Sequence, residues 1–365
     1  MDLNKKLEQV SRLFRIEGEF LGYETIQVVN VNKTYKVNFL LPEGMEKSFL
    51  IQNVNTYAFR APVQLMDNID KVTEHIRAKK PGQKALHFHH TADRKTYVQD
   101  GTNFWRLTNY IRSVTHNKVT NLNIMRNAGK AFGEFQMQLN DFDSNLLFET
   151  IPDFHNTRKR YEQLMDAVES NPDGKVSEVQ AELDYLFEVK SLACKLTDMW
   201  KAGELPQRVT HNDTKINNVL FDPDDDAAIV VVDLDTVMPG LVGHDFGDAI
   251  RFGANREAED SRELDKVGVD LEIFRVFAEG FLEMTADTLT QNEIDTLALS
   301  CFALTVELAT RFLADYILGS PYFYTAYPEH NLVRTRCQIA LAKDMQKKLP
   351  EMEQIIRDCV AAARK

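Results

Sequence analysis

His211-Asn212-Asp213-Thr214-Lys215-Ile216-Asn217-Asn218 is the stretch on which the reading of this chain turns. It sets a carboxylate, Asp213, two residues before a cation, Lys215, and five before an amide, Asn218. A positioned Asp can orient a hydroxyl and accept its proton, a side-chain amide oxygen suits a hard divalent cation, and a lysine offsets anionic charge. The four fixed positions of H-x-D-x-K-x-x-N should coincide by chance in roughly one chain of this length per thousand. Beyond them Leu220-Phe221 ends a short apolar run, Asp222-Pro223-Asp224-Asp225-Asp226 has turn composition, and Ala228-Ile229-Val230-Val231-Val232 is β-branched. Folding this hairpin back on itself brings Asp233 opposite Asn218, so two oxygen donors from separate strands face one place.

The string is similar to the catalytic loop of the protein-kinase-like phosphotransferases, which use ATP and Mg²⁺. On that reading Asp213 is the general base. An ordinary Asp is a weak base near neutral pH, so it acts mainly by holding the acceptor hydroxyl in line with the γ-phosphorus. Asn218 and Asp233 are the expected Mg²⁺ ligands, and Lys215 is expected to offset charge on the transferring phosphoryl. His211 should hold the loop by hydrogen bonds rather than carry protons. Downstream, Asp245-Phe246-Gly247 spells the kinase D-F-G triplet, but it lies too far along the chain to face Asn218 across the hairpin. Asp245 is expected to brace the loop instead.

Length and composition frame this reading. The 365 residues can fill two modest cores, and 44% apolar with 27% charged residues is the balance of an ordinary globular chain. A net charge of −12 repels nucleic acid and anionic membrane, so neither is an expected partner; a small-molecule substrate and ATP are. Cys194, Cys301, Cys337 and Cys359 form no C-x-x-C pair and read as reduced core thiols. The charged opening to Arg15 is unlike a signal peptide, and no apolar run reaches the ~18 residues of a membrane span. The expectation is a soluble, cytoplasmic protein, with nothing that demands more than a monomer.

Hydrophobic spacing divides the chain in two. Up to about Phe20 it is helical, with Leu3, Leu7, Val10, Leu13 and Phe14 on one face. Residues 25–31, 34–41 and 48–54 read as strands, 62–78 as a helix, and 85–110 as β again. After Ser113 helical spacing dominates, over 123–140, 158–170, 177–202, 271–284, 293–318 and 332–363, with the 211–233 hairpin as the exception. A β-rich N-lobe (1–110) and a helical C-lobe (111–365), hinged near Leu107 to Ile111, make an α+β, two-lobed, protein-kinase-like fold. His87-Phe88-His89-His90 invites a metal reading, but no carboxylate or Cys cluster lies near it in sequence, and exposed strand histidines are the simpler account.

The resemblance extends well beyond the loop. Arg208 to Leu220, the D-L-D-T-V-M-P-G string from Asp233, Asp245 to Ala254, Arg311 to Tyr316, and Tyr327-Pro328-Glu329-His330-Asn331-Leu332-Val333-Arg334-Thr335-Arg336 resemble segments of the bacterial N-acetylhexosamine 1-kinases, members of the aminoglycoside/choline phosphotransferase superfamily. That resemblance implies ATP- and Mg²⁺-dependent phosphorylation of the anomeric hydroxyl of N-acetylglucosamine or N-acetylgalactosamine to the α-sugar 1-phosphate. It implies a sugar pocket lined by Phe252, Arg311 and Tyr322, and a nucleotide-covering segment carrying Asn30, Asn32, Thr34 and Gln52.

The chain also departs from its relatives. Where they carry a glycine-bearing loop with a His, this chain reads Gln27-Val28-Val29-Asn30, so close backbone approach to phosphate is restricted. Gln52 stands where protein kinases have the β3 lysine, as in these relatives. Two other readings stay open from sequence: a kinase of another small alcohol such as an aminoglycoside or choline, and a catalytically silent nucleotide-binding module.

Overall fold

Alternating apolar residues decide the N-terminal sheet. In the computed structural model, which describes residues 2–26, 32–80 and 85–365, helix α1 (Leu3–Leu13) leads into strands β1 (Glu19–Ile26), β2 (Lys33–Leu40) and β3 (Glu46–Asn53). Helix α2 (Pro62–Lys79) follows, then β4 (Val98–Asp100) and β5 (Asn103–Asn109). The strands form one antiparallel sheet in the order β1-β2-β3-β5-β4. Tyr35, Val37 and Phe39, Phe49 and Ile51, and Trp105 and Leu107 share one face by the two-residue period, and bury it against Leu7 and Val10 of α1 and Phe14 just beyond it. This is a small core of its own. Helix α2 instead sends Leu65, Met66, Ile69 and Val72 into the larger core of the helical lobe.

The second lobe comprises α3 (Leu122–Gln138), α4 (Thr157–Ser170), α5 (Gln180–Glu188), α6 (Lys190–Ala193), α7 (Lys195–Lys201), α8 (Val242–Gly253), α9 (Leu271–Thr285), α10 (Gln291–Ile317) and α11 (His330–Ala363). Between α7 and α8 lie β6 (Arg208–Thr210), β7 (Val219–Phe221), β8 (Ala228–Val231) and β9 (Met238–Gly240), which pair β6 with β9 and β7 with β8. Glycines let the helices meet closely. A Cβ on Gly280 of α9 would lie 2.1 Å from the Arg126 carbonyl oxygen of α3, and one on Gly247 of α8 would lie 2.5 Å from that of Ser300 in α10. A five-stranded antiparallel sheet over a helical lobe is the α+β, two-lobed, protein-kinase-like fold expected from the sequence.

Several element expectations need correction. The first helix stops at Leu13, and left-handed turns at Arg15 (φ 64°) and Gly18 (φ 96°) redirect the chain, so Glu19 and Phe20 belong to β1. Between 85 and 97 there is no strand among the described residues, only the isolated bridge Phe88–Thr108 and a polar turn in which Thr91 and Lys95 bond each other. The 177–202 helix is broken at Val189 and Cys194, where ψ rises to near 0°. Helix α10 also amends the membrane expectation. Its window is long and apolar enough to cross a bilayer, yet 89% of that window is buried inside the fold, as befits the central helix of a core.

Candidate active site

The loop from His211 to Asn218 is held from below by buried side chains. Asn212 adopts the left-handed conformation (φ 66°), stabilised by its own side chain, which accepts from Thr210 Oγ1 at 2.9 Å and donates to Thr236 O at 2.9 Å. The Asp245 carboxylate accepts from the His211 amide (2.9 Å), the Asn212 amide (2.8 Å) and Gln136 Nε2 (2.7 Å). Asp245 thus braces the loop, at the cost of a carboxyl pushed up by burial against those stabilising donors. Three residues on, Asp248 accepts from the Thr214 amide at 3.1 Å. Both carboxylates come from α8, which the sequence reading did not anticipate. With Gly243, Gly247, Gly253 and two Asp in its twelve residues, α8 has poor helix propensity and is buried almost all round, so tertiary packing decides it.

His211 is fully buried between the edges of Phe132 and Phe135. Its Nδ1 accepts from the Asp213 amide (3.2 Å), which leaves the proton on Nε2, donated to Val232 O at 2.8 Å. The ring ties the loop to the hairpin and points no proton outward. A second histidine, His155, does similar work from the other side. Its Nε2 lies 3.2 Å from Asn212 O, and its Nδ1 lies 2.8 Å from Glu307 Oε1 on α10. Burial pushes the Glu307 carboxyl up, but the His155 ring outweighs it and holds the group down at about 2. Sequence reading missed this pair because 152 residues separate its members.

The hairpin forms as expected. Val219 faces Val231 and Leu220 faces Val230, and the Val232 amide donates to Asn218 O at 2.8 Å, so Asn218 faces Val232, and Asp233 lies one residue past that pair rather than directly opposite Asn218, the position expected from sequence. Asn218 Nδ2 donates to Asp213 O (2.8 Å) and Oδ2 (3.2 Å), leaving its oxygen turned elsewhere. Lys215 Nζ meets the other Asp213 oxygen at 2.9 Å, and Asp213 is the main reason its ammonium is held above the ordinary range. Asp233, in a left-handed conformation (φ 61°), carries no hydrogen bond or ion pair to any described residue. Burial pushes its carboxyl up to about 6, with Asp235 and Asp213 adding to the shift. A half-buried carboxylate with no ion pair of its own, beside a free amide oxygen and a second carboxylate, is a donor set that suits Mg²⁺. Among the described residues no cluster of three or more His, Cys, Asp or Glu could hold a metal alone, so phosphate oxygens or water must complete the shell, as is usual for Mg²⁺.

Of the four residues expected to cover the nucleotide, Asn30 lies outside the described residues. Thr34 and Gln52 face each other across β2 and β3, and Gln52 Nε2 donates to Thr34 Oγ1 at 3.0 Å. Gln52 Oε1 accepts from Arg106 Nε at 2.9 Å. The Arg106 guanidinium grips the Asp235 carboxylate in a fork, with Nη2 at 3.2 Å from Oδ2, and Asn32 Nδ2 adds a bond to the same oxygen at 2.7 Å. Arg106 and Asp235 are both 3% exposed. The sequence carried two faint signals of them: an arginine inside the apolar run Phe104-Trp105-Arg106-Leu107, and the second Asp of Asp233-Leu234-Asp235.

On the other flank, Arg311 of α10 lies over three aromatic rings: Phe154 at 5.5 Å, Phe323 at 5.3 Å and Tyr322 at 5.9 Å. The Asp315 carboxylate holds the following loop, accepting from the amides of Tyr322 (2.9 Å) and Phe323 (3.0 Å) and from Asn331 Nδ2 (2.8 Å). His330 pins it further through the Ala326 amide. The structure therefore brings Arg311 and Tyr322 together, with Tyr322 69% exposed. Phe252 enters from α8, next to Arg251, whose guanidinium pairs with Asp248 and Glu259.

Residues 59–275 match the family model described as the phosphotransferase enzyme family (APH). That span is more than half of the chain. The chain belongs to this family. Solved structures of similar fold include an aminoglycoside phosphotransferase from Alicyclobacillus acidocaldarius (12% identity, TM-score 0.62, covering 96% of each chain). A choline kinase from Cryptosporidium parvum matches at 13% identity and TM-score 0.58, over 97% of this chain and 99% of that one. The amicoumacin kinase hAmiN, solved with AMP-PNP, Ca²⁺ and amicoumacin, matches at 10% identity and TM-score 0.56, over 97% and 93%. At such identities the likeness establishes the shared fold.

Proposed function

We propose that this phosphotransferase moves the γ-phosphoryl group of ATP to the anomeric hydroxyl of an N-acetylhexosamine, giving the α-sugar 1-phosphate. The observation that carries phosphotransfer is the convergence of Asp213, Asn218 and the unpartnered Asp233 on one hairpin. A similar fold that holds AMP-PNP and Ca²⁺ in hAmiN agrees with a nucleotide and a divalent cation here. The sugar rests on the resemblance of the 233–240 and 327–336 strings to N-acetylhexosamine 1-kinases, and on the Arg311–Tyr322 cluster that the second string positions. A guanidinium over aromatic rings offers fork donors to ring and hydroxyl oxygens and an apolar face to the pyranose.

In this mechanism Asp213 accepts a hydrogen bond from the 1-hydroxyl, aims it at the γ-phosphorus, and takes the proton late as the oxygen acidifies. Lys215, paired with Asp213 in the resting site, swings toward the transferring phosphoryl as charge builds there. Mg²⁺, held by Asn218 and Asp233, would neutralise charge on the nucleotide phosphates. Asn32, Thr34 and Gln52 line the sheet above. Asp245, His211 and His155 keep the loop from relaxing, so the in-line geometry is prepaid. The test is ATP consumption over a panel of N-acetylhexosamines, plain hexoses, amino alcohols and aminoglycosides, with ³¹P NMR of the product. An anomeric phosphate from the N-acetylhexosamines is expected. Turnover confined to amino alcohols or aminoglycosides would replace the acceptor, and nucleotide binding without turnover on any acceptor would favour a silent module.

A further inference from the structure

The cation that Gln52 fails to supply is one strand away. Gln52 of β3 and Arg106 of β5 are direct cross-strand partners, so their side chains leave the sheet on the same face, toward the helical lobe. Arg106 spends that position on Asp235, which lies on the short 3-10 turn Leu234–Thr236 immediately after Asp233. Both carboxylate oxygens of Asp235 are taken: one by Arg106 Nη1, the other by Arg106 Nη2 and Asn32 Nδ2. Asp235 is thus engaged with the sheet, while Asp233 is left without a partner two residues before it. The anchoring residues are themselves fixed. Arg106 Nε is held by Gln52, Gln52 by Thr34, and the Asn32 side chain by the Asn55 amide at 2.9 Å. The turn is tied a second time from α2, where Asn68 Nδ2 donates to Val237 O at 3.1 Å.

We infer that Arg106 and Asp235 form an inter-lobe latch through which the N-terminal sheet positions the Asp233 carboxylate for the metal–nucleotide complex. Arg106 is a positioning residue here, since its donors are spent on Asp235 and Gln52. A buried bidentate pair is a poor source of net stability compared with apolar packing, but it fixes orientation strongly. The pair spans 129 residues and joins the sheet that covers the nucleotide to the turn that presents the metal ligand. Closing the sheet over ATP and shaping the metal site are therefore one event. This inference rests on the proposed roles of Asp233 and the nucleotide, but not on the identity of the acceptor.

The test uses fluorescent mant-ADP binding at varied Mg²⁺, which needs no acceptor, in the wild type, Arg106→Lys, and the double variant Arg106→Met with Asp235→Asn. The double variant removes both charges of the pair, so neither is left buried and unpaired as in a single change. Circular dichroism and thermal melting check that it is folded. The expected result is a tenfold or greater rise in the Mg²⁺ concentration needed for half-maximal nucleotide binding in the folded double variant, with Arg106→Lys between it and the wild type. Where turnover is measured, acceptor KM stays within about twofold while the Mg²⁺ and ATP dependences worsen. A folded double variant with wild-type Mg²⁺ dependence overturns the latch. A wild type that binds no mant-ADP in Mg²⁺ overturns both the latch and the reading of the site beneath it.

Discussion

At the scale of single residues, side chains within one short loop take separate tasks in the proposed reaction. Asp213 is the only carboxylate there that keeps contact with both Lys215 and Asn218, so Asp213→Asn should lower kcat by roughly 10²–10⁴-fold while nucleotide affinity changes little. Steady-state kinetics with an independent mant-ADP titration checks this. In the proposed reaction Arg311 acts on the acceptor side. Hydrogen bonds to charged groups are worth about 1.5–3 kcal/mol, so Arg311→Ala should raise acceptor KM roughly ten- to a hundredfold with ATP KM unchanged. Asp213, Asn218 and Asp233 were legible because one motif and one hairpin place them. Arg106 and Asp235 left only faint signals, and His155 and Glu307 none. Their meaning lies in partners more than a hundred residues away, and no local spacing encodes such pairs.

At the scale of elements, what could be read followed from periodicity. Strands β2 and β3 and helices α9 and α10 carry clean patterns, and the structure places them within two or three residues of the expected limits. Helix α8 shows the opposite. Its glycines are required by close packing and lower its helix propensity, and its polar side chains are buried along with its apolar stripe, so composition hides it. The same packing yields a prediction. A methyl on Gly280 would meet the Arg126 carbonyl at 2.1 Å, and backbone cannot step aside as a side chain can. Gly280→Ala should destabilise the protein by about 2–3 kcal/mol, read from chemical denaturation, whereas Gly203→Ala, with open space around its Cβ, should cost only the strain of its positive φ (77°).

At the scale of the whole molecule, histidines kept neutral by burial contribute to the acid dependence of stability. Burial holds His89 down at about 4 and His244 at about 3, against about 6.5 in the unfolded chain. The unfolded state therefore binds more protons as pH falls below 6.5. The stability these groups contribute is complete above that pH and is lost progressively toward 4 and then 3. Asp233, raised to about 6, acts in the opposite sense, favouring the metal-free fold at low pH up to that point. Thermal unfolding of the metal-free protein should show a midpoint falling between pH 6.5 and 4, and His89→Gln should flatten that slope. An unchanged slope in the variant would show that His89 does not titrate across this window.

The two lobes matter to function only if they close on one metal–nucleotide complex, and electron paramagnetic resonance of Mn²⁺ measures that complex directly. Titrating Mn²⁺ with ADP into the wild type, Asn218→Ala and Asp233→Asn should show one tightly bound Mn²⁺ per nucleotide in the wild type. Each variant, still folded, should bind that ion at least tenfold more weakly. Full Mn²⁺ affinity in Asp233→Asn, or no nucleotide-dependent Mn²⁺ binding in the wild type, would contradict the account.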